Sequence, residues 1–443
     1  MRDAFHKVPL ASGYRSGAGD AALHRREDVD LFGDVTSFTN DQRPHRPCIG
    51  TLAFAGASCC LAHMSITLSR ITVTAYRVPI ASPVATSFGV MHNRPAVFVR
   101  LEDSDGAFGW GEIFANWPAA GAEHRARLVV EDMADLLLGQ TFDNATDLFT
   151  QLTDKTHIRA LQCGEWGPFR QVIAGLDTAM TDLEARRAGL SVAQLLNAEA
   201  AHTVPCYASG IAIAQAENQI AQSREAGFSA FKVKVGFKLS RDTDLLRTLF
   251  ATLGANETLC ADANQAWSLP EAERFVAACA DLPLGWLEEP LPADAPLTHW
   301  SALADQCPVP LAGGENITGT GGFADAIATG VFGVLQPDIA KWGGFSGCWP
   351  VAQAIRKSGL RYCPHFLGGG IGLIASAHLL AAAGGDGLLE VDVNPNPLRD
   401  GFDPWNGASD RGTLTLSTTP GLGITELPEP IVPYCSFTAE LHL

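Results

Sequence analysis

With 443 residues the chain is too long for one small domain and long enough for a barrel-sized core plus a second module. Hydrophobic residues make up 47% and charged residues 18%, the balance of a globular protein and not of a disordered one. A formal net charge of −17 excludes nucleic acid and anionic membranes as partners, because phosphate surfaces demand a basic face. A few cations gathered in one pocket could still hold an anionic substrate. No apolar run approaches the length of a membrane span, and Gly50 to Leu61 is short, interrupted and too far from Met1 for a signal peptide. The eleven cysteines form no CxxC pair, and Cys206, Cys260 and Cys363 sit inside apolar runs. They read as reduced, structural thiols of a cytoplasmic protein.

Residues 1–63 show no sustained periodicity and balance seven Lys/Arg against seven Asp/Glu, so the net negative charge lies beyond them. They are expected to be a flexible or non-native extension, with the folded body starting at Met64. There the pattern alternates as a strand, and a second extended run, Ala96 to Glu102, is expected after a turn near Asn93-Arg94-Pro95. Ser104-Asp105-Gly106 then turns the chain into Phe108-Gly109-Trp110-Gly111-Glu112. From about Ala120 to Asn197 the spacing is helical: Val172, Leu176, Ala179, Leu183 and Ala185 suit one helix face that Gly189 would end.

Beyond Asn197, short apolar runs recur around Tyr207, Val233, Cys260, Leu287, Ala312, Leu335, Cys363 and Leu389, at steps of 26, 27, 27, 25, 23, 28 and 26 residues. Helix-compatible stretches fill the gaps. Eight strands with crossovers of this length indicate a β/α barrel, and no GxGxxG loop argues for a dinucleotide fold instead.

Each run ends in residues that can do chemistry. In order they are Lys232-Val-Lys234, Asp262-Ala-Asn264, Glu288-Glu289-Pro290, Glu315-Asn316, Gln336-Pro337-Asp338, Pro364-His365 and Glu390-Val-Asp392. Barrel enzymes carry their sites at the carboxyl ends of the strands, so these termini should share one mouth. Asp262, one of Glu288 or Glu289, and Glu315 would place three carboxylates on one rim, a hard oxygen set suited to Mg²⁺. A solvated rim residue is the plainer account of any one of them, but not of the trio in this order. Lys232 and Lys234 share one strand face, and a buried lysine near other cations loses proton affinity and can act as a base. Asp338 and His365, from neighbouring strands, read as an oriented imidazole opposite the lysines.

In this order the residues resemble the enolase superfamily, on its mandelate racemase side. The resemblance runs from about Met64 to the C-terminus. It implies a modified TIM barrel, (β/α)₇β, over 198–393, with an α+β capping domain over 64–197 and a tail, 394–443, that returns to the cap. It implies one Mg²⁺ per active site, held by Asp262, Glu288 and Glu315, with Glu289 pointing away. Lys234 and His365 would be the two bases, with Asp338 orienting His365. Lys232 would neutralise the ene-diolate formed when the α-proton of a carboxylate substrate is removed, a chemistry general to that group. Glu390 would hydrogen-bond a substrate carboxylate oxygen. Ser82 to Asn93 and Ala115 to Ala120 would be mobile covering loops, with His92, Trp117 and Asn264 as candidate substrate contacts. Asp338 on the sixth strand, followed by His365, fits the racemase-like pattern better than the lactonising one, and Lys341 is set outside the chemical centre. An acid-sugar dehydratase is the favoured activity. The alternatives are a racemase or epimerase of a 2-hydroxy acid, a cycloisomerase of an acid-sugar lactone, or a silent metal- or ligand-binding barrel. A homo-oligomer is expected, with no nucleic-acid or membrane partner.

Overall fold

The computed structural model of the chain describes residues 65–87, 89–402 and 411–443. The expectation for residues 1–63 lies outside them. The cap is built on an antiparallel sheet of order β14-β1-β2-β3, with β1 Ile66–Thr86, β2 Gly89–Asp103, β3 Phe108–Ile113 and β14 Cys435–His442. A short β4, Thr141–Phe142, pairs with the start of β1. β14 comes from the C-terminal tail, which crosses back to lie beside β1. Helices α1 Gly121–Leu128, α2 Ala145–Cys163 and α3 Trp166–Ala188 cover the sheet, and their apolar residues form one core with it.

The turn between β1 and β2 does not fall at Asn93–Pro95. Those residues pair with Pro79, Val78 and Arg77 inside the strands, and the hairpin closes where Thr86 meets Gly89. Pro95 is tolerated because β2 contacts β3 only from Val97 onward, so its missing N–H breaks no ladder bond on that side. The segment Ser82 to Asn93, expected as a loop, is therefore largely a β-hairpin. Ala115 to Ala120 is irregular, with a cis peptide between Trp117 and Pro118. Helix α3 ends at Gly189, whose φ of 68° gives the left-handed cap that glycine adopts without strain.

The barrel strands are β5 Thr203–Ala212, β6 Ala230–Lys234, β7 Thr258–Asp262, β8 Leu287–Glu288, β9 Leu311–Gly313, β10 Phe332–Leu335, β11 Arg361–Tyr362 and β12 Leu389–Asp392. They are parallel, neighbours in sequence are neighbours in space, and β12 pairs with β5, so the sheet curls until its last strand lies beside its first. Leu388 N donates to Cys363 Sγ at 3.4 Å across the remaining seam. One helix follows each of the first seven strands, which gives the (β/α)₇β form. Tyr207, Ala230, Cys260, Trp286, Ala312, Val334 and Cys363 point inward and plug the barrel, the layered filling such folds need. A short β13, Thr413–Thr415, pairs with the start of β5.

Cap and barrel are joined through α3. Asp177 Oδ2 accepts from Ser346 N at 3.0 Å in the helix Gly344–Lys357, while its Oδ1 is buried without a partner. Burial pushes this carboxyl from 3.8 up to about 7, with the Ser346 hydrogen bonds only partly offsetting it. A folded value above the unfolded one means stability that is complete below about pH 4 and is lost as pH rises through about 7, on the order of 4 kcal/mol at most. Asp177→Asn keeps one acceptor for Ser346 and cannot ionise. Thermal melts are expected to show a flatter Tm between about pH 5 and pH 8, and a Tm at pH 8 above that of the parent.

Candidate active site

The carboxyl ends of the barrel strands open beneath the cap into a cavity of about 300 Å³. Lys234, Asn264, Glu315, Lys341, His365, Asp392 and Asn394 line it from the barrel, and Val84, Met91, Phe114, Asn116 and Trp117 from the cap. His92 does not line it. Strand alternation sends Met91 inward and leaves its neighbour His92 exposed.

The buried floor is a network of ions. Lys232 Nζ lies 2.5 Å from Glu288 Oε1, 2.7 Å from Glu390 Oε1 and 3.6 Å from Asp262 Oδ2. Lys234 Nζ donates to the same Asp262 oxygen at 2.5 Å. The other Glu288 oxygen accepts from Trp286 Nε1 at 3.0 Å and Gln336 Nε2 at 2.6 Å. His365 joins Asp338 Oδ2 through Nδ1 at 2.7 Å and Glu315 Oε2 through Nε2 at 2.9 Å. Lys341 Nζ donates to Glu315 Oε1 at 2.8 Å.

These pairings decide the charge states. Burial works against the charge on Lys234, but the Asp262 carboxylate outweighs it and holds the lysine above its usual range. The expectation of a lysine with weakened proton affinity is thus reversed in this arrangement, since its nearest neighbours are anions. Burial likewise opposes a charged His365, and Glu315, Glu390 and Asp338 together overcome it, so the imidazole is strongly favoured as imidazolium. Burial would raise Glu390, yet Lys232 and His365 bring it down to about 2. Glu390 is therefore an acceptor, taking Ser209 Oγ at 2.5 Å and Phe366 N at 3.2 Å, whereas a hydrogen bond to a substrate carboxylate oxygen would need its protonated form.

Two further residues depart from expectation. Lys341 lines the cavity and pairs with Glu315, because Asp338 Oδ1 accepts the N–H groups of Ala340 and Lys341 and folds the chain back towards the mouth. Glu289, expected to point away from the metal ligands, lies close enough to Glu315 and Asp262 to feel their charge. It is 2% exposed, with φ +38°, Oε1 accepting from Asn316 Nδ2 at 2.8 Å and Oε2 buried without a partner. Burial, with Glu315 and Asp262 nearby, pushes it up to about 8.

Among the described residues, no three side chains already converge as a metal cage. Asp262, Glu288 and Glu315 are instead engaged by Lys232, Lys234, Lys341 and His365. The donor set nevertheless fits a hard divalent cation. Six carboxyl groups (Asp262, Glu288, Glu289, Glu315, Asp338 and Glu390) gather around three lysines and one imidazolium, so hard oxygen donors outnumber the cations that could hold them, and burial pushes the surplus Glu289 towards its neutral form. The partnerless Glu289 oxygen belongs to the same excess.

The barrel matches the family model described as enolase C-terminal domain-like over residues 215–429, and the cap matches the mandelate racemase / muconate lactonizing enzyme N-terminal domain over residues 69–197. A mandelate racemase/muconate lactonizing enzyme structure from Bordetella bronchiseptica RB50 is 47% identical and superposes with a TM-score of 0.79, covering 84% of this chain and 100% of that one. The chain belongs to the enolase superfamily. Within this superfamily it is 27% identical to D-galactarolactone cycloisomerase of Agrobacterium fabrum, over 82% of this chain and 96% of that protein. It is 31% identical to L-talarate/galactarate dehydratase of Salmonella typhimurium, over 79% and 86%. L-talarate dehydratase from Polaromonas sp. JS666, solved with Mg and L-glucarate, is 26% identical with a TM-score of 0.73, covering 85% of this chain and 99% of that one.

The sequence missed the residues that seat the cap over this superfamily site. Glu112, at the end of β3, accepts Gly369 N at 2.5 Å and Gly372 N at 2.8 Å, at the start of the helix Gly370–Ala383 that follows His365. Arg94 NH2 donates to Asp392 Oδ2 at 2.6 Å, Asn116 Nδ2 to Leu367 O at 2.6 Å, and Ser87 to Asn264 O. The only available signal was a carboxylate in a Gly-Trp-Gly-Glu strand, and no local pattern names its partner.

Proposed function

We propose that this enolase-superfamily protein is a Mg²⁺-dependent lyase that removes the α-proton of a sugar acid and expels the β-hydroxyl as water. The observation that carries the reading is the His365–Asp338 pair at 2.7 Å, which shares one cavity with Lys234 from across the strand ring. Removal of the C2 proton is assigned to Lys234, which must first give up its own proton and its pairing with Asp262. His365, held as imidazolium, is suited to protonate the departing hydroxyl as the C3–O bond breaks. The enol left behind tautomerises to a 2-keto-3-deoxy acid. Lys232, fully buried between Glu288, Glu390 and Asp262, offers a fixed positive charge near the substrate carboxylate. Asp262, Glu288 and Glu315, with Glu289 beside them, would hold the divalent ion, which would supply further positive charge there and compete with Lys234 for Asp262.

The named activity of the talarate/galactarate dehydratase and the magnesium in the talarate dehydratase structure support this reading. The cycloisomerase among those relatives, together with the loop Pro364 to Gly370, supports a second outcome, expulsion of a ring oxygen from a lactone. Proton NMR of the Mg²⁺-loaded protein against acid sugars and their lactones tests both. New methylene signals of a 2-keto-3-deoxy acid are the expected result. Inversion at C2 with no loss of water would remove the dehydratase reading, and turnover of lactones alone would replace it with cycloisomerisation.

A further inference from the structure

We propose that the outer wall of the cavity selects sugar acids with one carboxylate (aldonates) over those with two (aldarates), an inference that rests on the acid-sugar reading above. The cations that line the cavity, Lys234, Lys341 and His365, are gathered at its inner end and tied to Asp262 and Glu315. Between the strands that carry Lys234 and His365, the wall rises over β12 and β5. Asp392 lies two residues beyond Glu390, about 7 Å further out at the rise of a strand.

That wall presents a carboxylate and neutral amides. Asp392 Oδ2 is held by Arg94 NH2 at 2.6 Å, with Arg399 NH1 at 3.8 Å. Both arginines are buried and neither lines the cavity, whereas Asp392 does, so a ligand meets the acceptor oxygens of a neutralised pair and no arginine N–H. Asn394 Nδ2 donates to Asp392 Oδ1 at 2.7 Å and to Gly210 O at 2.8 Å, and its Oδ1 accepts from Gln219 Nε2 at 3.3 Å. Gln219 Oε1 in turn accepts from Ala212 N at 3.1 Å. Gly210 is required here, because its φ is +74° and a Cβ would strike Asp392 and Asn394. The network fixes amide and carbonyl groups in one orientation, and Gln215 and Asn116 add two more amides.

A hydroxyl both donates and accepts, so a polyol end can satisfy such a wall with either partner. A second carboxylate only accepts, and the arginine-paired oxygens of Asp392 offer it no hydrogen. Among the described residues of this wall, no cation faces the cavity to offset the lost hydration of a second carboxylate.

The test separates binding from turnover. Mg²⁺-loaded Lys234→Ala protein is titrated calorimetrically with stereochemically matched pairs, galactonate with galactarate and gluconate with glucarate. At least one aldonate is expected to bind about tenfold or more tightly than its aldarate. Equal or tighter binding of the aldarates, or no binding by any of the four, overturns the proposal. Gln215→Arg, at an exposed position on the rim, is expected to shift the ratio towards the aldarate at an unchanged Tm, and an unmoved ratio counts against the wall as the selector. Loss of α-proton signal in D₂O with the unmodified protein is read separately. Exchange confined to aldarates overturns the selectivity alone, and exchange with no sugar acid overturns the reaction on which it rests.

Discussion

Lys234→Ala is expected to abolish loss of the substrate α-proton in D₂O, a fall of at least about 10²–10⁴-fold, the usual contribution of a positioned base. The change should leave the fold intact. Asp262 keeps Lys232 at 3.6 Å and the N–H of Asn264 at 2.8 Å after Lys234 is removed, so the buried carboxylate is not stranded. His365→Asn is expected to behave differently. Exchange at the α-carbon should persist on the face served by Lys234, while the dehydrated product disappears because the leaving hydroxyl has lost its acid. Asparagine can still reach Asp338, which limits damage to the loop. Proton NMR follows both signals in one experiment. Wild-type exchange rates in Lys234→Ala would remove that lysine from the reaction.

Chelation is the second large effect. A protein stripped of divalent ions is expected to lose turnover entirely and to regain it with Mg²⁺, because Asp262, Glu288, Glu289 and Glu315 gather more hard oxygen donors than the site's own cations hold. Glu315→Gln is the informative variant. Its carboxylate is partly exposed, and Lys341 and His365 keep Asn316 and Asp338 as partners without it. Calorimetric Mg²⁺ affinity is expected to fall by about 100-fold or more, beyond the usual cost of losing a supporting partner. Asp262→Asn should do the same at a higher structural cost, about 3–5 kcal/mol, since it deprives the buried Lys232 and the cavity-lining Lys234 of their shared anion. Unchanged Mg²⁺ affinity in both variants would place the ion elsewhere.

Much of the architecture was legible because it is written in local periodicity. Eight apolar runs at near-constant intervals became eight parallel strands in the same order, and Tyr207, Cys260, Ala312 and Cys363, read as strand centres, all point into the barrel. The helix ended at Gly189 for the same local reason, a backbone angle that only the residue itself determines. The strand-end residues were legible as a set because a barrel necessarily carries its strand ends to one mouth.

What the sequence could not decide depends on partners brought from far along the chain. The Asn93–Pro95 turn was misplaced because pairing with Arg77–Pro79 overrides the local preference of Asn and Pro. His92 and Met91 are equally plausible in a list, and only the pleat of β2 sends one outward and the other into the cavity. Lys341 joins the site through an Asp338 turn, and Glu112 finds its N–H partners more than two hundred and fifty residues away. Charge states were the least legible of all. Lys234, expected to lose its proton easily, is held protonated by Asp262, and Glu390, expected to hydrogen-bond a substrate carboxylate oxygen, is held ionised by Lys232. Residue type and spacing determine which groups arrive at the mouth of the barrel. Which charges touch there is set by distances of a few ångströms between strands, and at low dielectric those distances control protonation.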